Sequence, residues 1–263
     1  LFSEDISRLP TFNTVIPPSN FVLRTEGDVK NTAQAVFGQS TYAVLPNTRL
    51  TTGLRYTQDK KSADYVTSGP FSRPDGGRFP LSPFSNSKAY SATNWRLGLD
   101  HDLSKSTLVY AAVATGFKSG GFNVGTNGSE ILPENLRSVE GGVKTRLLDG
   151  RLQLAAGFFD YSYENIQLTS VVALPTGGTA ALTTNAARAK LRGGEIEGRL
   201  LVGESGQLQF AVGLNDAKFG TYNYNSTISY TGQRMDRAPE TVVMLGYSHS
   251  FSLEGGSELV ASL

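Results

Sequence analysis

Two groups of residues in this 263-residue sequence have the types and spacing that could do chemistry. The first is GFKSGGFNVG at 116–125. A glycine-rich turn can cradle a phosphate with its backbone N–H groups. A phosphate loop, however, needs the GxxxxGK[ST] spacing and a following helix, and this segment has neither. It reads instead as a strand that leaves a sheet at Phe117 for an exposed loop, with Gly120 and Gly121 relieving backbone constraint. The second group is the charged run Arg188, Lys190, Arg192, Glu195, Glu197 and Arg199. Glu195 and Glu197 alternate onto one strand face. No nucleophile, base and acid set accompanies them at a catalytic spacing, so the reading is of a protein that is not an enzyme.

Metal chemistry has little to work with. Cysteine is absent, which removes thiolate clusters, disulfides and a cysteine nucleophile together. The two histidines, His101 and His249, are far apart and lack the pairing of a HExxH helix. No intrinsic metal or cofactor is expected. Lys and Arg number 24 against 23 Asp and Glu, for a net charge of +1 with no block of either sign. A nucleic-acid partner, which needs a conspicuous basic footprint, is not expected either.

The elements that must position these residues are strands. The 29 glycines exceed the roughly 7% of an average domain and favour turns and bent sheets over long helices. No run of 18 apolar residues exists, so no helix can span a bilayer, but a barrel strand needs only about 9 to 11 residues with alternate side chains facing lipid. Such alternation recurs from Ala33 onward. Leu50, Leu54 and Tyr56 oppose Arg49, Thr51, Arg55 and Thr57. Trp95, Leu97 and Leu99 oppose Asn94, Arg96, Gly98 and Asp100. Leu152, Leu154, Ala156 and Phe158 oppose Arg151, Gln153, Ala155 and Gly157 after a turn at Asp149-Gly150. In AKLRGGEIEGRLLV the apolar phase moves from Ala189 and Leu191 to Ile196, Leu200 and Val202. This predicts a bulge or bend at Gly193-Gly194.

About ten strands are expected, joined alternately by short turns and by long polar segments near 61–88, 118–137, 170–185 and 221–238. A soluble β-sandwich explains the strands but not this regular contrast, whereas a membrane barrel has short periplasmic turns and longer extracellular loops. Tyrosines and Trp95 near strand ends fit interfacial girdles. Residues 1–32, with Pro10, Pro17 and Pro18 and no clear period, read as loop, and 33–263 as barrel. In a barrel the charges of 188–199 should face the polar lumen, because a lipid-facing Arg or Lys costs roughly 2–4 kcal/mol at the midplane.

The stretch from Ala33 to Leu263 resembles the barrel of TonB-dependent outer-membrane receptors of the siderophore-receptor type. The resemblance is carried, in order, by AVFGQSTYAVLPNTRLTTGLRYTQDKK, WRLGLDHDLSKSTLVYAAVATGFKSGGFN, LPENLRSVEGGVKTRLLDGRLQLAAGFFDYSYENIQL and NAARAKLRGGEIEGRL. It implies an all-β, antiparallel transmembrane barrel of 22 strands in the cell outer membrane, of which about ten are visible, with a plug domain not seen in this sequence. It also implies a monomer among outer-membrane lipid and lipopolysaccharide, coupled through the plug to TonB and its inner-membrane energising complex. The transported ligand would be a ferric siderophore complex. Haem, cobalamin or a carbohydrate are alternatives within the family, and a passive porin-like barrel is the alternative outside it. Lys118, Ser119, Phe122 and Asn123 are carried over as substrate-vestibule candidates. Arg188, Lys190, Arg192, Glu195, Glu197 and Arg199 become plug-facing lumen candidates.

Overall fold

The computed structural model describes residues 2–7, 12–16, 21–72, 78–124, 128–173, 179–223 and 227–263. Among these the chain is antiparallel sheet with a single 3-10 turn. The strands are β1 (Phe2–Ser7), β2 (Phe12–Ile16), β3 (Phe21–Leu45), β4 (Thr48–Ser72), β5 (Arg78–Ser104), β6 (Thr107–Lys118), β7 (Gly121–Phe122), β8 (Glu130–Ile131), β9 (Glu134–Leu147), β10 (Leu152–Ala173), β11 (Thr179–Val202), β12 (Gly206–Phe219), β13 (Thr241–Ser252) and β14 (Glu258–Ser262). Twelve of them form one sheet in the order β1-β3-β4-β5-β6-β9-β10-β11-β12-β13-β14, with β2 also on β3. β7 and β8 pair separately. Apart from that small pair, every neighbour is the next main strand in sequence. This is the meander that short hairpins produce. Among the described residues the sheet is open, since no ladder joins β14 to β1 or β2.

Register identifies the two faces. Directly opposed residues of an antiparallel ladder share a face, so the pairs can be followed across the sheet. Leu54 lies opposite Trp95, and Leu97 opposite Val113, which pairs with Val139. Further on, Ala156 opposes Val143 and Ile196, Ile196 opposes Val212, and Val212 opposes Val243. All belong to one apolar face, and much of it is uncovered: Leu54, Phe158 and Val243 are 60%, 58% and 69% exposed. A soluble sheet would bury such a stripe; a bilayer solvates it. The opposite face carries Arg55, Asn94, Arg96, Glu140, Lys144, Gln153, Glu197 and Gln209 by the same registers.

Tight turns close one end. Leu147 pairs with Leu152 across a turn in which Leu148, Asp149 and Gly150 all have positive φ, which fits the expected Asp149-Gly150 hairpin. Two expectations need correction at the other end. The polar segments 61–88 and 170–185 are largely strand: β4 and β5 stay paired from Thr48↔His101 to Thr67↔Ser82, and β10 and β11 from Leu152↔Leu200 to Ala173↔Thr179. Beyond the apolar stripe neither face is uniformly apolar, so the ladder continues while the period-two signal disappears. Residues 1–32 are likewise not loop where they are described. β1 and β2 keep a common register on β3, Phe2↔Ala35 and Phe12↔Thr25. Pro10, Pro17 and Pro18 lie outside the described residues.

The predicted bulge at Gly193-Gly194 is also corrected. Pairing runs unbroken through Arg192↔Asp160, Gly193↔Phe159 and Gly194↔Phe158. The glycine has a packing reason instead: a Cβ at Gly193 would come within 2.5 Å of Phe159 Cζ, so the ring lies over bare backbone. What changes along β11 is the chemistry of a face, not its phase.

Candidate functional site

The charged run of β11 divides between the two faces. Glu195, Glu197 and Arg199 oppose Gly213, Ala211 and Gln209, on the polar face. Glu197 and Arg199 border a concave groove of about 640 Å³ together with Lys144, Arg146, Gln153 and Gln209. Above that groove Tyr161 Oη donates to Glu140 Oε1 at 2.8 Å. Nearer the tight turns Arg49 and Asp102 form a two-pronged ion pair, Arg49 Nη2 donating to Asp102 Oδ1 at 3.0 Å. A polar wall of this kind can hold charged groups or water in place.

Arg188, Lys190 and Arg192 sit in register with Glu164, Ser162 and Asp160, on the face that carries Ile196 and Leu200 lower down. The expectation that the whole run faces one lumen therefore fails for these three. They share their face with the apolar stripe but stand beyond its end. Arg192 Nε donates to Asp160 Oδ2 at 2.6 Å, and Asp216 is bridged by Lys218 at 2.9 Å and Arg234 at 3.5 Å. The hydrogen bond from Lys218, reinforced by the charges of Lys218, Arg234 and Arg192, holds the Asp216 carboxyl below its ordinary value.

The glycine-rich segment forms a sill between two hairpins. Gly121 and Phe122 pair with Ile131 and Glu130. On one side Phe122 packs edge-on against Phe84, which stacks on Tyr65 with ring centroids 4.9 Å apart. Lys88 Nζ donates to Glu130 Oε1 at 2.6 Å, and Tyr90 Oη donates to the same oxygen at 3.3 Å. Tyr65, Phe84, Lys88 and Tyr90 all project from the polar face by register. Burial, and then the charge of Glu130, push the Tyr90 phenol up to about 12.

On the other side Asn123 Nδ2 donates to Thr183 O and Thr183 N to Asn123 Oδ1, both at 2.8 Å. Asn185 makes a similar pair with Leu132, and Gln167 Nε2 donates to Ser119 O at 2.9 Å and Leu132 O at 3.0 Å. Of the four vestibule candidates, Asn123 is 6% exposed and fully engaged in this latch. Ser119 and Phe122 are half-buried, and Lys118 is exposed on the polar face. Sequence reasoning missed the partners that hold the sill, namely Tyr65, Phe84, Lys88, Gln167, Thr183 and Asn185. All but Gln167, which falls in a segment read as strand, lie in segments read as polar loop, and the side-chain amides carry no periodic signal.

An exposed apolar stripe crossing consecutive antiparallel strands, a polar reverse face, and tight turns at one end against long hairpins at the other define the wall of a membrane β-barrel. Residues 3–260 match the family described as TonB dependent receptor-like, beta-barrel, and the chain belongs to that family of outer-membrane receptors. The fold is similar to that of the ferric yersiniabactin uptake receptor FyuA from Yersinia pestis, at TM-score 0.72 and 18% identity over 90% of this chain and 34% of that one. The copper transporter OprC gives 0.63 and 16% over 87% and 39%. The ferric-catecholate import receptor Fiu from E. coli K12, in its open form, gives 0.60 and 17% over 91% and 30%. The chain thus spans between 30% and 39% of the length of these three receptors.

Proposed function

We propose that this chain is part of the wall of an energy-coupled importer whose cargo is a metal chelate, most simply a ferric siderophore complex. The observation that supports the reading is the sill formed by residues 119–124 and 128–133, held by Tyr65, Phe84 and Lys88 beside the charged polar face. In this reading the sill stands over the polar face and, once the barrel closes, gives a chelate a surface to rest on at the mouth. The metal cargoes named for the similar structures agree with it.

In this reading Glu195, Glu197 and Arg199 face a plug, and the groove beside Glu197 and Arg199 receives part of it. Lys118, Ser119 and Phe122 line the substrate vestibule, while Asn123 holds the sill in place. TonB supplies the work that rearranges the plug, and the cargo crosses without a covalent step. The experiment is growth on a panel of ferric siderophores as sole iron source, with and without the gene and with TonB coupling removed. Growth on at least one chelate should require both. If no iron source depends on the gene, the siderophore cargo is wrong. Growth that needs the gene but not TonB would instead identify a passive barrel.

A further inference from the structure

Two lysines stand directly opposite one another on the polar face beside the sill. Lys61 of β4 and Lys88 of β5 are cross-strand partners, in a rung that continues to Asn31 of β3. Opposed side chains of an antiparallel pair are about 4.5–5.5 Å apart at Cβ, and like charges at that spacing destabilise the sheet. Among the described residues one acid offsets them. Glu130 of the sill meets Lys88 at 2.6 Å, while Lys61 forms no ion pair there. Asp59 stands in the neighbouring rung, opposite Tyr90, and is joined to neither lysine among the described residues.

Glu130 reaches the pair from outside the main sheet. It belongs to the small β7–β8 ladder, and its Oε1 accepts from Lys88 Nζ and, at 3.3 Å, from Tyr90 Oη. The two fastenings of the sill therefore differ in kind. On the β10–β11 side the neutral amides of Asn123, Gln167 and Asn185 bond backbone groups, so an incoming anion has no carboxylate to displace. On the β4–β5 side the polar fastening is a carboxylate on an ammonium. The side chains of Lys88 and Glu130 are 46% and 33% exposed, so solutes reach the pair, and an ion pair that open to water exchanges readily. An external oxyanion competes for the same donors and gains the second ammonium, which Glu130 leaves unused.

We propose that Lys61 and Lys88 form a recognition subsite for an anionic oxygen group of the cargo, and that Glu130 occupies it as an internal stand-in until the cargo arrives. The arriving group bridges the two lysines and Glu130 leaves. The β7–β8 ladder is then released on its β4–β5 side while the amide side stays fixed. A neutral chelate leaves Glu130 in place, so the sill responds to the charge of the cargo. The proposal deepens the importer reading and rests on it for the cargo, whereas the competition between Glu130 and an outside anion is a property of the purified protein.

The test measures two probes on the full-length receptor in detergent by equilibrium dialysis: the trianionic ferric complex of a tripodal tris-catecholate and the neutral ferric complex of a tripodal tris-hydroxamate. E130Q keeps the shape of the side chain but removes its charge, and should bind the catecholate complex on the order of 5-fold more tightly. K61Q/K88Q should bind it on the order of 10-fold more weakly, and K61R/K88R should retain it. The affinity for the hydroxamate complex should be the same in all of them. Amide exchange at 121, 122, 130 and 131 should accelerate when the catecholate complex binds, while Thr183 stays protected. Heat-modifiable mobility identifies folded barrels, and K88Q alone replaces the double variant if that one fails to fold. Unchanged or weaker catecholate binding by E130Q would overturn the proposal, and so would full retention by K61Q/K88Q or an equal response of the hydroxamate complex. Failure of the growth panel with this competition intact would remove the cargo reading alone.

Discussion

Asn123 and Thr183, sixty residues apart, exchange two hydrogen bonds of 2.8 Å through one side-chain amide. The amide copies the pattern of a neighbouring strand, so the glycine-rich loop is tied to the β10–β11 hairpin as firmly as a ladder rung. Asn123→Ala leaves the Thr183 N–H and carbonyl without these partners and should loosen the sill by about 1–3 kcal/mol. In the intact receptor, amide exchange at residues 119–124 and 128–132 should accelerate while the lower part of β10 is unchanged. Equal protection of the sill in the variant would refute the latch.

At the other anchor, Tyr90 and Lys88 converge on Glu130. The phenol is raised from 10.0 to about 12, so the folded state favours its protonated form. Its contribution is complete below pH 10 and is lost as pH rises through about 12. Absorbance titration at alkaline pH should lose one late step near 12 in Tyr90→Phe relative to the natural protein. Loss of a step near 10 would show that the phenol is neither buried nor set beside the charge of Glu130.

Asp216 has the opposite sign. Its carboxyl is depressed by the hydrogen bond from Lys218 and by neighbouring cations, so the cluster's contribution is present above the ordinary 3.8 and disappears as pH falls through the folded value. Exchange of the upper β12 amides should remain slow through pH 4 and rise only at lower pH. In Asp216→Asn that acid step should be missing.

The two faces of β11 differ most in what they tolerate. Ile196→Arg should cost about 2–4 kcal/mol of barrel stability if it lies near the bilayer midplane, because it puts a cation against acyl chains, whereas Glu197→Gln next to it should change little. Urea-unfolding midpoints in lipid vesicles measure both. Similar losses for the two would mean the faces are not distinct.

Legibility in the sequence followed the solvent boundary. Within the bilayer one face must be apolar, and the alternation of Leu50, Leu54 and Tyr56, or of Trp95, Leu97 and Leu99, was readable residue by residue. Beyond it, residues such as Lys60, Ser62, Ser87 and Asn86 are wet on either side, so the paired strands looked like loops. The same boundary explains Arg188, Lys190 and Arg192. The end of an apolar stripe looks like a phase shift in one strand, and only the unbroken register with Asp160 and Ser162 shows that the face stays the same. The sill was visible as glycine and aromatic residues, but its latch depends on Gln167, Thr183 and Asn185, placed by a ladder that sequence alone does not reveal.

The membrane wall requires alternate β11 residues to face lipid and an aqueous lumen. Since this segment contains no cysteine, single substitutions Ile196→Cys and Glu197→Cys in the reconstituted full-length receptor, with any other cysteine removed, measure it directly. Glu197→Cys should react with a water-soluble maleimide and escape quenching by brominated lipid. Ile196→Cys, once labelled in denaturant and refolded, should be quenched by brominated lipid and should resist the water-soluble reagent when folded. Equal aqueous reactivity at both positions, or the reverse pattern, would contradict the membrane wall.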